Sequence, residues 1–508
     1  MTSLALVDTD PADLAADAVV IGVHSDGDGG LLLAGGAESI AAAFDGKLVG
    51  TLGLLGAAGL AGEVTKLATL GTVTAPLIAA VGLGPATADG AVVATETVRR
   101  AVGAAMRALA GSPSVAVVLP TGDGTAGLRA QAEGALLGAY RFADYKTRPQ
   151  PGLRDPVEAV SLHVTDAADP AAQAEVDRAA AIATAVAHAR DWVNTAPNEL
   201  RPPDFASRVA AAATEAGLEV EILDEKELRA GGYGGITAVG QGSEAPPRLV
   251  RLSYSPAEPA NGSRVALVGK GITFDTGGIS IKPAQGMWEM KCDMAGAAAV
   301  CATMLAVAAL KPKVAVTAYA PMAENMPSGT SYRPGDVVTM FGGKKVEVLN
   351  TDAEGRMILG DAMARACADG CDYLFETSTL TGGQVIALGK RIAGVMGTPE
   401  LCERVRAAGD LVGEPAWPMP LPEDVRKGME SDVADITQVN NSMDRAGHML
   451  QGGVFLSEFA ADGVSWAHID IAGPGYNSGD PFGYWPKGGT GVPVRTLLAL
   501  IEDVAENG

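Results

Sequence analysis

The chain has 508 residues, of which 47% are hydrophobic and 19% are charged. This length exceeds one ordinary hydrophobic core and predicts at least two domains, and the apolar fraction argues against extensive disorder. The formal net charge of −22 argues against nucleic acid as a partner, because phosphate contacts need clustered Lys and Arg.

The cysteines and the first residues predict a cytoplasmic protein. The five cysteines are odd in number and loosely spaced, which argues against a disulfide framework and favours a reducing compartment. Cys367 and Cys371 could share a helix face, but a zinc site would need further Cys or His, so small core residues are the simpler interpretation. The N-terminal stretch lacks a basic region with a cleavage site, and no uninterrupted apolar run reaches about 18 residues. We therefore expect neither secretion nor a membrane span.

The first part of the chain alternates short apolar runs, rich in Val and Ile, with segments of helical spacing. Strands are predicted over Ala18–Val23, Pro76–Leu83, Ser114–Leu119 and Ala159–Val164, and helices over Thr95–Leu109 and Gly127–Phe142. This alternation predicts βαβ units around a mainly parallel sheet.

A long Ala-rich helix is predicted over Pro170–Asn194, and the Pro-bearing segment 195–203 ends it. We interpret this helix as the connection between two domains. Residues 1–168 would form the first domain, 169–195 the linking helix and 196–508 the second domain.

The second part of the chain alternates again and contains one strongly apolar helix. Strands are predicted over Val220–Leu223, Leu249–Ser253, Val265–Gly269 and Val314–Ala320, and a buried helix over Ala295–Leu310. The predicted fold class is α/β, with two domains that each hold a mainly parallel or mixed sheet flanked by helices, joined by the long helix.

The segment Val348–Arg356 (VLNTDAEGR) is the most informative polar motif. An extended backbone would send Asp352, Glu354 and Arg356 to the same side of the chain. Two acids buried together would repel each other, and bound cations would resolve that conflict. The motif therefore predicts a metal-dependent hydrolase.

A second polar constellation follows the predicted strand Val265–Gly269. Lys270 and Asp275 lie at the strand end and in a Gly-rich loop, where α/β folds place ligands. Lys282 follows them, and Asp293 precedes the apolar helix, where helix capping is the alternative role. The glycine spacing fits neither a phosphate-binding loop nor a dinucleotide fingerprint.

Neither motif contains histidine, so a metal site formed by them must be mostly oxygen-ligated. Such sites suit Mg²⁺ and Mn²⁺, and Zn²⁺ also accepts carboxylates. We interpret His468 as a buried structural residue beside a strand. No serine stands in the context expected of a hydrolase triad.

Both motifs resemble the signatures of the cytosolic leucine aminopeptidase family. Asn350–Arg356 reproduces the NTDAEGR signature of that family, and the run Gly269–Pro283 (GKGITFDTGGISIKP) also matches it. Further matching segments are Asp293–Gly296, Val193–Leu200, Glu324–Gly329, Tyr332–Asp336, Thr379–Gly382, Asp432–Asp435 and Ala467–Gly473. The N-terminal part resembles the family only in its βα character.

The resemblance implies two divalent cations side by side in a catalytic second domain, with Mn²⁺, Zn²⁺ and Mg²⁺ as the options. Asp275 and Glu354 would bridge both cations, Lys270 and Asp293 would complete the tighter site, and Asp352 would bind the more exchangeable ion. A lysine can ligate a metal only as a neutral amine, and adjacent dications would lower its pKa.

The resemblance also implies hydrolysis of the first peptide bond of small peptides with a free N-terminus, by a water that bridges the metals. Lys282 would stabilise the developing oxyanion. Arg356 would hold a bicarbonate ion as proton shuttle, because a guanidinium is a poor general base and its planar fork suits that anion.

The substrate side-chain pocket is a further implication of the resemblance. Its residues would be Met290, Thr379, Leu380, Gly382 and Ala472. The flexible apolar side chain of Met290 suits leucine and other apolar residues at the substrate N-terminus. The chain departs from the family pattern at Glu376, at Gly475 and within Asp444–Gln451, which bears on side-chain preference but not on the metal chemistry.

Members of this family form hexamers, so the resemblance implies a homohexamer. Two other functions stay open. Another metal-dependent hydrolase, such as a phosphoesterase, could use Lys282 and Arg356 for phosphate. A non-catalytic role in DNA architecture is the third, and the acidic composition argues against it.

Overall fold

The computed structural model describes residues 2–86, 93–120, 125–148 and 152–508. The chain forms two compact units. Unit 1 comprises Met1–Thr184 and Gly479–Lys487, and unit 2 comprises Ala185–Ser478 and Gly488–Gly508. The helix Pro170–Asn194 passes from one unit into the other, as the fold-class prediction required. The exact division into 1–168, 169–195 and 196–508 stays a prediction.

Unit 1 alternates strands and helices. Its strands are β1 (Ser3–Val7), β2 (Ala18–Ser25), β3 (Leu31–Leu33), β4 (Val64–Ala68), β5 (Leu77–Pro85), β6 (Ser114–Val118) and β7 (Ala159–His163). Its helices are α1 (Glu38–Ala43), α2 (Leu48–Leu54), α3 (Thr95–Ala108), α4 (Ala126–Ala139) and the first part of α5 (Pro170–Asn194), with a 3₁₀ turn at Pro11–Asp13.

Within the described part of unit 1, these strands form one sheet in the order β1-β7-β6-β2-β5-β4, with β3 beside β2. Neighbouring strands from β1 to β5 along this order are parallel. Strand β4 pairs antiparallel with β5, and β3 pairs antiparallel with β2. Alternate residues of β2 enter two different clusters, Ala18 and Val20 on one face, Val19 and Ile21 on the other. Both faces of the sheet are therefore covered, as parallel sheets require.

Unit 2 holds a larger mixed sheet and many short elements. Its strands are β8 (Glu219–Leu223), β9 (Arg248–Tyr254), β10 (Arg264–Gly269), β11 (Gly271–Asp275), β12 (Ala315–Asn325), β13 (Val337–Thr339), β14 (Lys345–Glu347), β15 (Tyr373–Ser378), β16 (Ala393–Gly397), β17 (Ala416–Pro418), β18 (Ile436–Thr437), β19 (Ser465–Asp470), β20 (Tyr476–Asn477) and β21 (Gly488–Gly489). Its further helices are α6 (Pro202–Glu215), α7 (Glu225–Ala230), α8 (Gly234–Gly240), α9 (Ala295–Leu310), α10 (Glu354–Asp369), α11 (Gly382–Leu388), α12 (Pro399–Val412), α13 (Glu423–Lys427), α14 (His448–Ser457) and α15 (Val494–Asn507), with a 3₁₀ helix at Met287–Cys292.

The central strands of unit 2 place the polar motifs at one edge of the sheet. The order is β17-β16-β19-β15-β10-β12-β9-β8, with β11 beside β12. Strands β19, β15, β10 and β12 are mutually parallel. Their carboxyl ends therefore meet at the same edge, which is where open α/β sheets bind ligands.

Helix α9 is the buried helix that the sequence predicts, and its bounds agree with the prediction. The stretch Met287–Leu310 is long and apolar enough to cross a membrane by length and composition alone. However, 78% of its most apolar window is buried inside the structure, as in a core helix of a globular protein.

The predicted fold class is confirmed in both units. All seven strands and helices predicted for unit 1 and its connection begin and end within three residues of their predicted limits, and α5 agrees exactly. The long elements were predictable because each carries a regular apolar pattern over several turns or a full strand.

Candidate metal centre

Four chain segments converge at the carboxyl edge of the unit 2 sheet. Lys270 directly follows β10, and Asp275 is the last residue of β11. Asp293 follows the 3₁₀ helix Met287–Cys292, and Glu354 is the first residue of α10. All four residues are buried, although they are separated by up to 84 positions in the sequence.

The three acids of this group form a compact cluster. One carboxylate oxygen each of Asp275, Asp293 and Glu354 lies within 4.8 Å of the others. Three carboxylates this close cannot all be ionised in a dry interior unless positive charge compensates them. We call Asp275, Asp293 and Glu354 the carboxylate cluster.

Lys270 supplies part of this compensation. Its Nζ lies 2.8 Å from Asp293 Oδ2 and 2.8 Å from Glu354 Oε1, and donates to the carbonyl oxygen of Thr379 at 3.2 Å. Burial lowers the pKa of Lys270, but the charges of Asp293, Glu354 and Asp275 outweigh it and raise the pKa above its ordinary value. Without a cation in the cluster, the lysine is therefore an ammonium.

Lys282 and Asp352 lie at the more open side of the cluster. Lys282 Nζ is 2.8 Å from Asp275 Oδ2 and 2.6 Å from Asp352 Oδ1. The side chain of Lys282 is 23% exposed and that of Asp352 is 32% exposed, against 3% for Lys270. Solvent therefore reaches the site from the side of Asp352.

Burial changes the acidity of the carboxylates. Burial and the nearby Glu354 raise the pKa of Asp275 to about 6. Burial likewise raises the pKa of Asp293 and of Asp352. For Glu354 burial acts in the same direction, but Lys270 and Lys282 outweigh it and lower the pKa.

The donor set fits divalent cations. Glu354 Oε2 is buried and has no hydrogen-bond partner among the described residues. Asp293 Oδ2 and Asp352 Oδ1 are ion-paired with Lys270 and Lys282 at 2.8 and 2.6 Å. A buried oxygen atom without a partner is costly, as at Glu354 Oε2, and hard cations such as Mn²⁺ and Mg²⁺ prefer carboxylate oxygens as ligands.

Three further residues hold the cluster in place, and the sequence motifs gave no role to two of them. Asn325 Nδ2 donates to Asp275 Oδ1 at 2.8 Å and to Thr351 O at 2.9 Å. Tyr332 Oη donates to the same carbonyl at 2.9 Å, and Thr379 Oγ1 donates to Asp293 Oδ1 at 2.8 Å. Asn325 and Tyr332 lie inside matching segments, but only the folded chain shows which atoms they contact.

One alternative role is excluded, and one local expectation was wrong. Asp293 does not cap α9, since Met294 holds the cap position without a side-chain hydrogen bond. The motif around Asp352 is not extended, because Asn350 Oδ1 accepts the Asp352 amide at 2.9 Å in a turn and α10 begins at Glu354. Turn formation by Asn explains the difference, since its side chain competes with strand pairing.

Arg356 is buried in the first turn of α10. Its Nη1 donates to the carbonyl oxygen of Gln438 at 2.5 Å, while Nε has no partner within the described ranges. Burial lowers the pKa of Arg356 to about 10, so the guanidinium keeps its charge near neutral pH. The free Nε–H is a donor suited to an anion.

Two of the five predicted pocket residues contact one buried carboxylate, and two more stand beside them in the sequence. Asp470, at the end of β19, accepts the amides of Leu380 and Ala472. Thr379 precedes Leu380, and Gly382 begins α11 two positions later. Met290 connects to the carboxylate cluster by its backbone, since its carbonyl oxygen accepts the Asp293 amide at 3.4 Å. Gly475 also lies here, because a Cβ at that position would be 3.4 Å from Thr379 Cγ2.

His468 is a structural residue by its surroundings. It lies fully buried on β19, and its Nδ1 forms a short hydrogen bond with Glu376 Oε2 on β15. The five cysteines are free thiols, three buried and two partly exposed. Neither group takes part in the carboxylate cluster.

Comparisons with known proteins agree with this geometry. Residues 187–498 match the family model described as "Cytosol aminopeptidase family, catalytic domain", and residues 20–149 match the N-terminal domain of the same family. A "Probable cytosol aminopeptidase" of Rhodococcus jostii (strain RHA1) is 52% identical over 494 residues, covering 97% of this chain and 95% of the relative. One from Streptomyces avermitilis is 50% identical over 515 residues, covering 99% and 98%.

A solved structure resembles the whole chain. It is described as "Bottromycin maturation enzyme BotP in complex with Mn", with 35% sequence identity and a TM-score of 0.83. The similarity covers 97% of this chain and 100% of that one.

Proposed function

Because the chain belongs to the cytosol aminopeptidase family, we propose that it is a metal-dependent aminopeptidase that removes the first residue of small peptides with a free N-terminus. The carboxylate cluster is the observation that carries the metal dependence. It gathers three buried acids and leaves Glu354 Oε2 without a hydrogen bond among the described residues, which is a poor arrangement unless a cation is bound.

Five residues would hold two divalent ions, with Mn²⁺, Zn²⁺ or Mg²⁺ as occupants. They are Lys270, Asp275, Asp293, Asp352 and Glu354. Such ions, when bound, acidify a water and polarise a carbonyl group. Asp352 is the most exposed of the five, so it fits the more exchangeable ion, and Lys270 is suited to the enclosed one.

Lys282 would stabilise the negative charge that develops on the substrate carbonyl oxygen. Its ammonium lies between Asp275 and Asp352, and their charges raise its pKa although burial lowers it, so it stays positive at neutral pH. The substrate must then reach the site from the side of Asp352, where Lys282 is accessible.

Arg356 would bind a bicarbonate ion that carries protons to and from the reacting water. The unpartnered Nε–H of this buried guanidinium supports the role, since a planar anion could accept from it. The arginine itself keeps its proton, as a pKa of about 10 requires.

The side-chain pocket would consist of Met290, Thr379, Leu380, Gly382 and Ala472, with leucine and other apolar residues favoured. We further propose that the protein acts in the cytoplasm as a homohexamer. The names of the curated relatives support the compartment.

The proposal is tested by substrates that differ only at the amino group. We expect the protein loaded with Mn²⁺ to release ammonia from leucine amide and none from N-acetyl-leucine amide, and chelation to abolish the release. Glu354→Gln should lower kcat/KM by at least about 100-fold, because it removes a ligand charge. Elemental analysis of the purified protein identifies the native metals.

Asp361→Asn provides the matched control in the same helix. Asp361 is also buried, but it accepts hydrogen bonds from the amides of Ile236 and Phe341, away from the cluster. We therefore expect the Asp361→Asn protein to keep its activity. Equal ammonia release from both amides would contradict an aminopeptidase. Hydrolysis of p-nitrophenyl phosphate without hydrolysis of either amide would support a phosphoesterase instead.

A further inference from the structure

Asp470 joins two chain segments that belong to the proposed side-chain pocket. Its Oδ1 accepts the Leu380 amide at 3.2 Å and the Ala472 amide at 3.1 Å, and its Oδ2 accepts the Thr381 hydroxyl at 2.7 Å. The residue is fully buried. One carboxylate therefore fixes the distance between the segment 379–382 and the segment 472–473.

Gln384 makes a second connection between the same segments. Its Oε1 accepts the Gly473 amide at 2.7 Å, and its Nε2 donates to the carbonyl oxygens of Gly389 and Ile392. Its own amide donates to Thr381 Oγ1 at 3.1 Å, which links it to Asp470. Gln384 is fully buried, and its hydrogen bonds with Gly473 and Thr381 are shielded from water.

The first of these segments is also tied to the carboxylate cluster. Thr379 Oγ1 donates to Asp293 Oδ1, and the Thr379 carbonyl oxygen accepts from Lys270. Movement of the segment 379–382 would therefore change the position of the pocket relative to the cluster. Asp470 and Gln384 hold the segment 472–473 at a fixed distance from the segment 379–382.

We propose that Asp470 and Gln384 are positioning residues that set the separation of the two pocket segments, and so decide which N-terminal side chains the protein accepts. This inference rests on the proposed aminopeptidase function. In this proposal neither residue touches the substrate, because both act through the backbone amides of Leu380, Ala472 and Gly473. A fixed separation discriminates side chains by size, whereas a loosened one accepts small and large residues more equally.

A buried carboxylate elsewhere in unit 2 provides a matched control. Glu414 Oε2 accepts the Thr496 amide at 2.9 Å and the Thr496 hydroxyl at 2.7 Å, and Oε1 accepts from Arg495 Nε. It is 4% exposed and resembles Asp470 in burial and in accepting from a backbone amide and a threonine hydroxyl. Glu414→Gln should lower the melting temperature and leave side-chain preference unchanged.

The test compares Asp470→Asn, Gln384→Leu and Glu414→Gln. We measure kcat and KM for leucine, alanine and phenylalanine amides with Mn²⁺, and the binding of free leucine and alanine by calorimetry. We expect Asp470→Asn and Gln384→Leu to reduce the leucine-to-alanine ratio of kcat/KM at least about fivefold, mainly through KM.

An unchanged ratio in both variants overturns the inference, as does an equal loss of kcat on all three amides. Should Asp470→Asn fail to fold, Gln384→Leu decides by the same ratio. A wild-type protein that releases no amino acid from any amide contradicts the proposed function instead. The calorimetric ratio of leucine to alanine binding then still decides whether Asp470 and Gln384 shape the pocket.

Discussion

Single hydrogen bonds set the chemistry of individual side chains in this protein. Lys270 and Glu354 show this at the carboxylate cluster, where the charge of Lys270 lowers the pKa of Glu354 and the charge of Glu354 raises the pKa of Lys270. A thiol pair outside the cluster shows it as well. Cys367 Sγ accepts the Ala461 amide at 3.4 Å, and a hydrogen bond with Cys371 lowers the pKa of Cys367 to about 7 although burial opposes this.

We expect Cys367 to be the most reactive thiol of the chain. Burial raises the pKa of Cys292 to about 12 and of Cys402 to about 11, so these thiols stay protonated. Alkylation of Cys367 by iodoacetamide should reach half its maximal rate near pH 7, because the thiolate fraction grows as the pH rises through the pKa. Peptide mass spectrometry over a pH series measures this.

Cys371→Ala is the informative variant for this prediction. It removes the hydrogen bond, so the pH at which Cys367 alkylation reaches half its maximal rate should rise toward the ordinary thiol pKa of about 8.5. Modification of Cys402 as fast as that of Cys367, or a midpoint that Cys371→Ala does not move, would contradict the assignment.

The sequence predicted residues of the carboxylate cluster but not their supports. Asp275 and Glu354 stand in motifs with recognisable spacing, and the structure brings them together with Asp293. The contact between Asn325 and Asp275 spans 50 positions, so no local pattern marks it. Amide side chains at strand ends have many possible partners, and only the completed sheet selects one.

At the scale of elements, α10 carries the largest difference between expectation and structure. Its start was expected to be extended, yet it is a helix whose first residue is a cluster member. A glycine in the first turn explains how the helix can come so close. A Cβ at Gly355 would lie 2.4 Å from Lys270 Cε and 2.7 Å from its Nζ. Only glycine leaves Lys270 in its place between the acids.

We therefore expect Gly355→Ala to damage the site although alanine favours helix by about 1 kcal/mol. The added methyl group must displace Lys270, so Mn²⁺ affinity and kcat/KM should each fall at least about tenfold. Manganese titration and leucine amide hydrolysis measure the two effects.

Gly50→Ala is the control for helix propensity. Gly50 lies exposed in α2, and nothing lies within 4 Å of a Cβ built there, so this variant should be slightly more stable and fully active. Full activity and metal affinity in Gly355→Ala would show that Lys270 need not stay where it is.

Elements also differ in how far their sequences predict them. Helices α5 and α9 agree with their predictions because apolar residues recur over many turns. Short strands such as β13, β14 and β18 have two or three residues and form a small separate sheet. So few residues cannot show a period, and their pairing depends on segments about 90 positions apart.

At the scale of the whole molecule, unit 1 is completed by a segment from far along the chain. Gly479–Lys487 belongs to unit 1, and Tyr484 within it is 2% exposed. Tyr484 Oη donates to Glu96 Oε1 on α3 at 3.0 Å. A Cβ at Gly103 would be 2.7 Å from the Tyr484 backbone, so helix and segment lie in close contact.

We expect Tyr484→Ala to destabilise unit 1 by about 3–5 kcal/mol, since it empties a buried aromatic site. Tyr484→Phe, which removes the hydroxyl that donates to the Glu96 carboxylate, should cost about 1.5–3 kcal/mol. Hydrogen exchange of the α3 amides measures both, because it reports stability region by region. Equal protection of α3 in wild type and Tyr484→Ala would refute the role of this segment.

Because Gly479–Lys487 belongs to unit 1, the order of synthesis on the ribosome affects how this unit folds. Domains of a nascent chain generally fold in order from the N-terminus. Here the last piece of unit 1, Gly479–Lys487, is translated only after Ala185–Ser478 of unit 2. The first unit to leave the exit tunnel must therefore wait, with α3 lacking Tyr484, until the greater part of unit 2 has been made.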